Sequence, residues 1–287
     1  MNRRHFLGAG MAGAISLHHF PYRLFAAAQP KNATDRIILG PRKIEVSRMA
    51  MGTGTNGGNG SSNQTRKLGY HGVAELFRAA FDQGINFWDS ADQYGSHTYI
   101  REALKTVPRD KVVILTKTNS TTAATVKADI DRYRRELGVD YIDILLLHAQ
   151  QAADWNVRMR PCMDVIGEAR DRGIVRSHGT SCHTLQALKT AAAEPWVEVD
   201  LARLNPAGLH MDSDPQTVIG VLRQMRQAGK GVVGMKILGQ GDLRAKADEA
   251  LEFAMAQDCL SAITIGSESR GEMEDLLRKI PAASVRG

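Results

Sequence analysis

Four side chains suited to acid–base work sit at the ends of three short apolar runs. The run Asn86-Phe87-Trp88 ends on Asp89, with Tyr94 five residues further on; Ile114-Leu115-Thr116 delivers Lys117, and Ile144-Leu145-Leu146-Leu147 delivers His148. A phenol, with an ordinary pKa near 10, is a poor acid at neutral pH. An ammonium beside it favours the phenolate, and a carboxylate beside the ammonium keeps that charge in place. Such a set suits a carbonyl oxygen that gains negative charge and must be protonated or held by donors aimed at it. Tyr94 is therefore the candidate proton donor, Lys117 its tuner, Asp89 the partner of the lysine, and His148 the group that orients the carbonyl. A plainer reading has Lys117 and His148 capping strand ends and Asp89 paired with Lys117 for stability. Burying a charge is costly unless it is paired, but stability alone asks for no tyrosine at a fixed offset.

These side chains meet only if the strands carrying them lie side by side. Strand-like runs are predicted at Met49 to Gly52, Asn86 to Asp89, Val112 to Thr116, Ile142 to Leu147, Ile174 to Gly179, Val199 to Leu204, Val232 to Met235 and Ala262 to Ile265. Amphipathic segments lie between them, such as Gly72 to Phe81 with apolar residues at i, i+3, i+4 and i+7. Strict alternation of strand and helix implies parallel strands with right-handed crossovers. An open doubly wound sheet also fits, but the glycines from Gly52 to Gly60 run on without the immediate helix that a dinucleotide fingerprint requires. A closed (β/α)8 TIM barrel is the better expectation, with chemistry at the C-terminal strand ends. Arg36 to Leu39 and Lys43 to Val46, around a Gly40-Pro41 turn, read as an N-terminal β-hairpin closing its bottom. The stretch Gly52 to Ser62 reads as a mobile rim loop. No Pro/Gly/Ser linker follows it, so one domain is expected.

The run Asp89-x-Ala91-x-x-Tyr94-Gly95, then Thr116-Lys117, then Leu147-His148, resembles the aldo-keto reductase family over about residues 36 to 280. The resemblance implies hydride transfer between a nicotinamide cofactor and a carbonyl or alcohol, with Tyr94 as general acid or base. The cofactor then supplies the hard step and the protein supplies position and field.

Cofactor binding is expected on the last two strand ends, where barrels commonly hold phosphate with loop and helix-N-terminal amides. Lys236, Leu238, Gly239 and Gly241 belong to a segment similar to the one that covers the pyrophosphate in that family. Gly266 and Ser267 open the next loop, and Arg270 is placed to hold a 2′-phosphate, which favours NADP(H) over NAD(H). By resemblance Glu274 and Asp275 face the adenine, although the family more often has Glu-Asn there. Gly179-Thr180-Ser181-Cys182 is similar to the family's Gly-x-Ser-Asn stretch that holds the nicotinamide carboxamide. Ser181 keeps its hydroxyl, Cys182 replaces the amide, and Asn205 is a candidate for the missing contact because an amide both donates and accepts.

The chain begins Met1-Asn2-Arg3-Arg4-His5-Phe6-Leu7, an arginine pair before a short Gly/Ala-rich apolar stretch, and Ala26-Ala27-Ala28 offers a cleavage site. This reads as a twin-arginine signal peptide over 1–28, recognised by the twin-arginine export machinery, with a mature domain over 29–287 in the periplasm. The stretch is too short for a stable membrane span, which needs about 20 apolar residues. Without Arg3, Arg4 and Arg23 the 37 basic residues fall to 34 against 31 acidic. With no basic run besides, nucleic-acid binding is not indicated. Three cysteines without close pairing indicate neither a disulfide scaffold nor an iron–sulfur site. The histidines lack ligand spacing, so no metal is expected. The expected partner is a small carbonyl or alcohol compound. Two rival readings stay open: an exported, non-catalytic barrel that binds a ligand or partner, and a lyase or isomerase using Lys117 as a Schiff-base amine.

Overall fold

Period-two alternation in the apolar runs decides which side chains enter the barrel and which meet the helices. The computed structural model describes residues 29–286, so the signal peptide expected over 1–28 and the last residue, Gly287, lie outside the described residues. A hairpin of β1 (Arg36–Leu39) and β2 (Ile44–Ser47) comes first. Eight strands follow: β3 (Met49–Gly52), β4 (Phe87–Asp89), β5 (Val113–Thr118), β6 (Ile142–Gln150), β7 (Val175–Cys182), β8 (Val199–Arg203), β9 (Gly231–Met235) and β10 (Ala262–Ile265). They pair in parallel and close into a barrel through β10 on β3. The helices α1 (Asn63–Asp82), α2 (His97–Leu104), α3 (Ala123–Leu137), α4 (Trp155–Arg158), α5 (Arg160–Asp171), α6 (Leu185–Ala193), α7 (Pro215–Gln227), α8 (Ala247–Ala256) and α9 (Arg270–Ser284) fill the crossovers.

The barrel interior is packed. Ala50, Phe87, Leu115, Ile144, Leu146, Val199, Leu201, Val233 and Ala262 form one apolar cluster, and Leu39, Ile44 and Val46 of the hairpin join it, so the hairpin plugs the bottom. The opposite strand faces pack against the helices in two larger clusters. Among the described residues, no helix is long and apolar enough to cross a membrane.

Two sequence expectations need correction. Lys117 and His148 lie inside strands rather than at their ends, because β5 runs on to Thr118 and β6 to Gln150. Lys117 stays in the ladder opposite Leu146. The β6–β7 pairing becomes irregular just after His148, where Ala149 adopts a φ of 54°, a bulge of the kind that re-aims side chains beside active sites. The stretch Gly52 to Ser62 is not a loose rim. Its backbone is tied down by bonds from Gly57 N to Gly54 O (3.0 Å), Gly60 N to Gln93 O (2.9 Å) and Asn63 N to Thr55 O (2.8 Å).

Candidate active site

The interior columns of three adjacent strands end in polar groups. Phe87 is followed two residues on by Asp89, Leu115 by Lys117, and Leu146 by His148, so each lies on the barrel side of its strand. Lys117 is fully buried. Its ammonium donates to Asp89 Oδ1 at 2.5 Å and to the Ser90 carbonyl at 2.7 Å. The other carboxylate oxygen of Asp89 accepts from the Thr264 hydroxyl at 2.9 Å. Burial pulls the Lys117 ammonium down, but the charge of Asp89 and the neighbouring Tyr94 outweigh it and hold the group above its ordinary value. The lysine is therefore a fixed positive charge, held in one geometry by three strands.

Tyr94 closes a short 3-10 turn, Asp92–Tyr94, directly after β4. The next residue, Gly95, has a φ of +63°, and a Cβ there would collide with the Gly60 carbonyl, so the Tyr-Gly pair is a backbone requirement. The tied rim segment lies on the phenol ring. A Cβ on Gly54 or Gly57 would penetrate the Tyr94 ring, and only glycine lets the backbone approach so closely. The Lys117 ammonium faces the ring 5.1 Å from its centroid, within cation–π range. Burial pushes the phenol above its ordinary pKa; the charge of Lys117 opposes this, and that of Asp89 adds to it. The tuning expected of Lys117 is present, but burial outweighs it.

The imidazole of His148 stands edge-on to Tyr94, with centroids 5.8 Å apart. Burial, then the positive charge of Lys117, lowers His148 well below the ordinary histidine value, so the ring is neutral at working pH. Its Nδ1 lies 3.1 Å from Asn119 Oδ1, just past the end of β5, and which ring nitrogen carries the proton follows from how that amide is oriented.

Behind the Tyr94 turn, Arg132 of α3 binds Asp92 (2.8 Å), Asp129 (2.8 Å) and Glu136 (3.0 Å). Glu136 also meets His97 Nδ1 at 2.8 Å, and His97 Nε2 meets Thr116 at 2.7 Å. Asp92, His97 and Glu136 are close enough together to suit a metal ion, but the Arg132 guanidinium is already bonded to both acids, and both imidazole nitrogens have partners. The cluster ties the Tyr94 turn and β5 to α3.

One cleft is lined by Tyr94, His148, His183, Leu201, Lys236, Arg244 and Gly266 among others. Of the residues expected to hold cofactor, Lys236, Leu238, Gly241 and Gly266 line it. Gly239 is buried in the short turn beneath. Two observations fit an anionic dinucleotide. Lys236 takes a φ of 56° at the cleft wall, where its ammonium bonds only the Gln240 side chain (2.7 Å) and has no carboxylate partner among the described residues. Ser267 carries a buried hydroxyl with no hydrogen-bond partner among the described residues. Ser181 is buried, and its Oγ accepts from Ala149 N at 2.9 Å. The Asn205 amide is taken up by its own loop, donating to Leu209 O (2.8 Å) and accepting from Leu209 N (3.1 Å) and Ala207 N (3.2 Å). Arg270 is exposed and paired with Glu274 at 2.8 Å, and Asp275 pairs with Arg278 and Lys279. Thr264 and Asn119 escaped the sequence reading. Thr264 had a usable signal, since it shares the parity of Ala262 and so faces the barrel interior; Asn119 had none.

The model of the aldo/keto reductase family matches residues 48–280. Among curated proteins, the chain is 24% identical to a D-threo-aldose 1-dehydrogenase of Pseudomonas sp, covering 64% of this chain and 65% of that protein. It is 26% identical to the NADH-specific methylglyoxal reductase of Escherichia coli, covering 51% of each. The matches therefore span about half to two-thirds of these relatives' own lengths. Among solved structures, the holo form of an aldo-keto reductase from Bacillus halodurans superposes with a TM-score of 0.70 at 17% identity, covering 86% of this chain and 91% of that one. A Pseudomonas aeruginosa chain assigned to the aldo-keto reductases gives 0.71 at 20% identity, covering 88% and 97%. With a family model spanning most of its length, this chain belongs to the aldo/keto reductase family.

Proposed function

We propose that the chain is an exported oxidoreductase that moves a hydride between a nicotinamide dinucleotide and a carbonyl or alcohol compound, an aldehyde, ketone or sugar. The observation that carries this reading is the Lys117 ammonium, clamped by Asp89 and Ser90 and facing the ring of Tyr94. A non-catalytic barrel has no use for a buried charge held against a phenol. When bound, the nicotinamide supplies or accepts the hydride. Tyr94 donates its proton to the carbonyl oxygen in reduction and recovers one from the alcohol in oxidation. Lys117 stabilises the phenolate that remains. His148, neutral, directs a ring nitrogen at the substrate oxygen. Lys236 and Ser267 are the groups free to meet the dinucleotide's phosphates. Two relatives, an aldose dehydrogenase and a methylglyoxal reductase, support small carbonyl or sugar substrates.

The preference for NADP(H) expected from the sequence rests on Arg270, whose guanidinium is engaged by Glu274. One relative is named for NADH.

Residues 1–28 form a twin-arginine leader in this reading, and 29–287 the exported domain. Lys31 already belongs to the barrel, bonding Ser284 Oγ at 2.8 Å and Met255 O at 2.6 Å. That route carries folded proteins, so the cofactor would travel bound. The contacts from Lys236 to Gln240 and from Gln240 Nε2 to Asn56 Oδ1 (2.6 Å) join the two sides of the cleft and would slow its release. In such a holoenzyme one alcohol is oxidised and one carbonyl reduced in alternate turnovers, with Tyr94 taking and returning the proton. Mass spectrometry of small molecules released by denaturing protein purified from the periplasm tests this. Stoichiometric nicotinamide dinucleotide supports it, whereas protein that stays cytoplasmic or carries none contradicts it.

A further inference from the structure

The cleft that Tyr94 lines is also lined by Arg244, which pairs with Glu268 just before α9. A dinucleotide with its nicotinamide at Tyr94 would run along the loops after β9 and β10, the seventh and eighth barrel strands, where barrels commonly hold phosphate. Its adenosine ribose would then emerge beside the N-terminus of α9.

The charges at that end are already matched. Glu268, only 5% exposed, accepts from Asn63 Nδ2 at 2.7 Å and pairs with Lys67 and with Arg244 (3.2 Å). Arg244 also reaches Glu272 at 3.4 Å, and Arg270 pairs with Glu274 at 2.8 Å. The helix start is likewise satisfied from within, since Glu272 Oε2 accepts from Glu268 N (2.8 Å) and Ser269 Oγ from Glu272 N (3.1 Å). Burial pushes the Glu268 carboxyl up, but Lys67, Asn63 and Arg244 more than reverse this and bring it to about 2, so it is ionised at every working pH. Lys67, Arg244 and Arg270 thus face Glu268, Glu272 and Glu274.

We propose that this cluster makes the chain select NAD(H) over NADP(H), with Glu268 the residue that determines the choice. The inference rests on the dinucleotide reading above. A 2′-phosphate carries a charge near −2 and needs unpaired cations, commonly a bidentate arginine. Here it would have to break an existing ion pair and stand beside three carboxylates. A free 2′-hydroxyl meets no such penalty, and in doubly wound dinucleotide folds a carboxylate beside the ribose accepts from that hydroxyl and marks NAD sites. Selection by an unfavourable contact with the wrong ligand is a common device.

Calorimetric titration of the full chain with NADH and with NADPH tests the proposal. NADH is expected to bind at least about tenfold more tightly. Glu268→Gln frees Lys67 and leaves Arg244 paired with Glu272 alone, and should move the ratio of the two dissociation constants toward NADPH by about tenfold. Glu272→Gln, at a carboxylate 41% exposed, should move it less in the same direction, and serves if the Glu268 variant does not fold. A purely structural role for Glu268 would weaken both ligands alike. Tighter binding of NADPH by the wild type, or an unchanged ratio in both variants, overturns the proposal and leaves the dinucleotide reading standing. Binding of neither dinucleotide overturns the reading itself, and the proposal with it.

Discussion

The ammonium of Lys117 sits 5.1 Å from the centroid of the Tyr94 ring, while its two hydrogen bonds go to Asp89 and to the Ser90 carbonyl. The lysine lowers the phenol chiefly through its charge. In reduction Tyr94 must start protonated, and its pKa is held above the ordinary 10.0 by burial against the opposing charge of Lys117. The rate of reduction should be flat from about pH 6 to pH 9 with respect to this group, while oxidation, which needs the phenolate, should climb over the same range. Lys117→Met removes the charge that lowers the phenol, so the climb moves to higher pH and both rates fall by about 10²-fold or more. A pH–rate profile unmoved by this substitution contradicts the assigned role.

Asp89→Asn leaves the Lys117 ammonium buried without its charge partner. Removing one member of a buried pair costs about 3–5 kcal/mol, so the midpoint of thermal unfolding should drop by several degrees and turnover should fall with it. Thr264→Val removes only the donor to the far oxygen of Asp89 and should cost about 1–2 kcal/mol by calorimetry. An equal cost for both variants would deny the carboxylate its special position.

His148 is neutral because burial and Lys117 hold its pKa well below 6.5. Turnover should therefore show no loss assignable to protonation of this ring between pH 7 and pH 5.5. His148→Gln keeps a donor of similar reach and should retain more of kcat than His148→Ala. An inflection near pH 6.5 that disappears in His148→Gln would show a charged imidazole in the resting protein.

Asp200 on β8 faces the helices, fully buried, with both carboxylate oxygens lacking hydrogen-bond partners among the described residues. Burial, then the charge of Asp212, raises its pKa from 3.8 to about 8. The folded state thus binds a proton that the unfolded chain has released, and stability falls as pH rises from about 4 to 8. At about 1.36 kcal/mol per pH unit the cost reaches about 4 kcal/mol near pH 7. Asp200→Asn should raise the unfolding midpoint, and by more at pH 8 than at pH 5. A gain independent of pH would mean that Asp200 is not protonated in the folded state.

What the sequence discloses is the part of the site written in local periodicity. Asp89, Lys117 and His148 each stand two residues beyond an interior apolar residue, so strand parity alone brings them to one barrel mouth, and the Tyr94-Gly95 pair marks its own turn. What it does not disclose depends on which partner each side chain takes. Arg270 reads as a phosphate ligand until its contact with Glu274 is seen. Glu268 looks like an ordinary loop charge until Lys67, 201 positions away, is found against it. Asn205 looks free to meet a ligand, yet its amide folds the loop that carries it. The glycines from Gly52 to Gly60 read as a flexible rim because composition does not show that Gly54 and Gly57 are packed on Tyr94.

The most direct test is Tyr94→Phe, with dinucleotide binding and carbonyl turnover measured on the same preparations of the full chain. The variant should bind the dinucleotide within about threefold of the wild type, while reduction of a small aldehyde falls by about 10³-fold, the scale of a lost general acid. Turnover preserved in Tyr94→Phe, or a wild-type protein that binds neither NADH nor NADPH, would contradict the account.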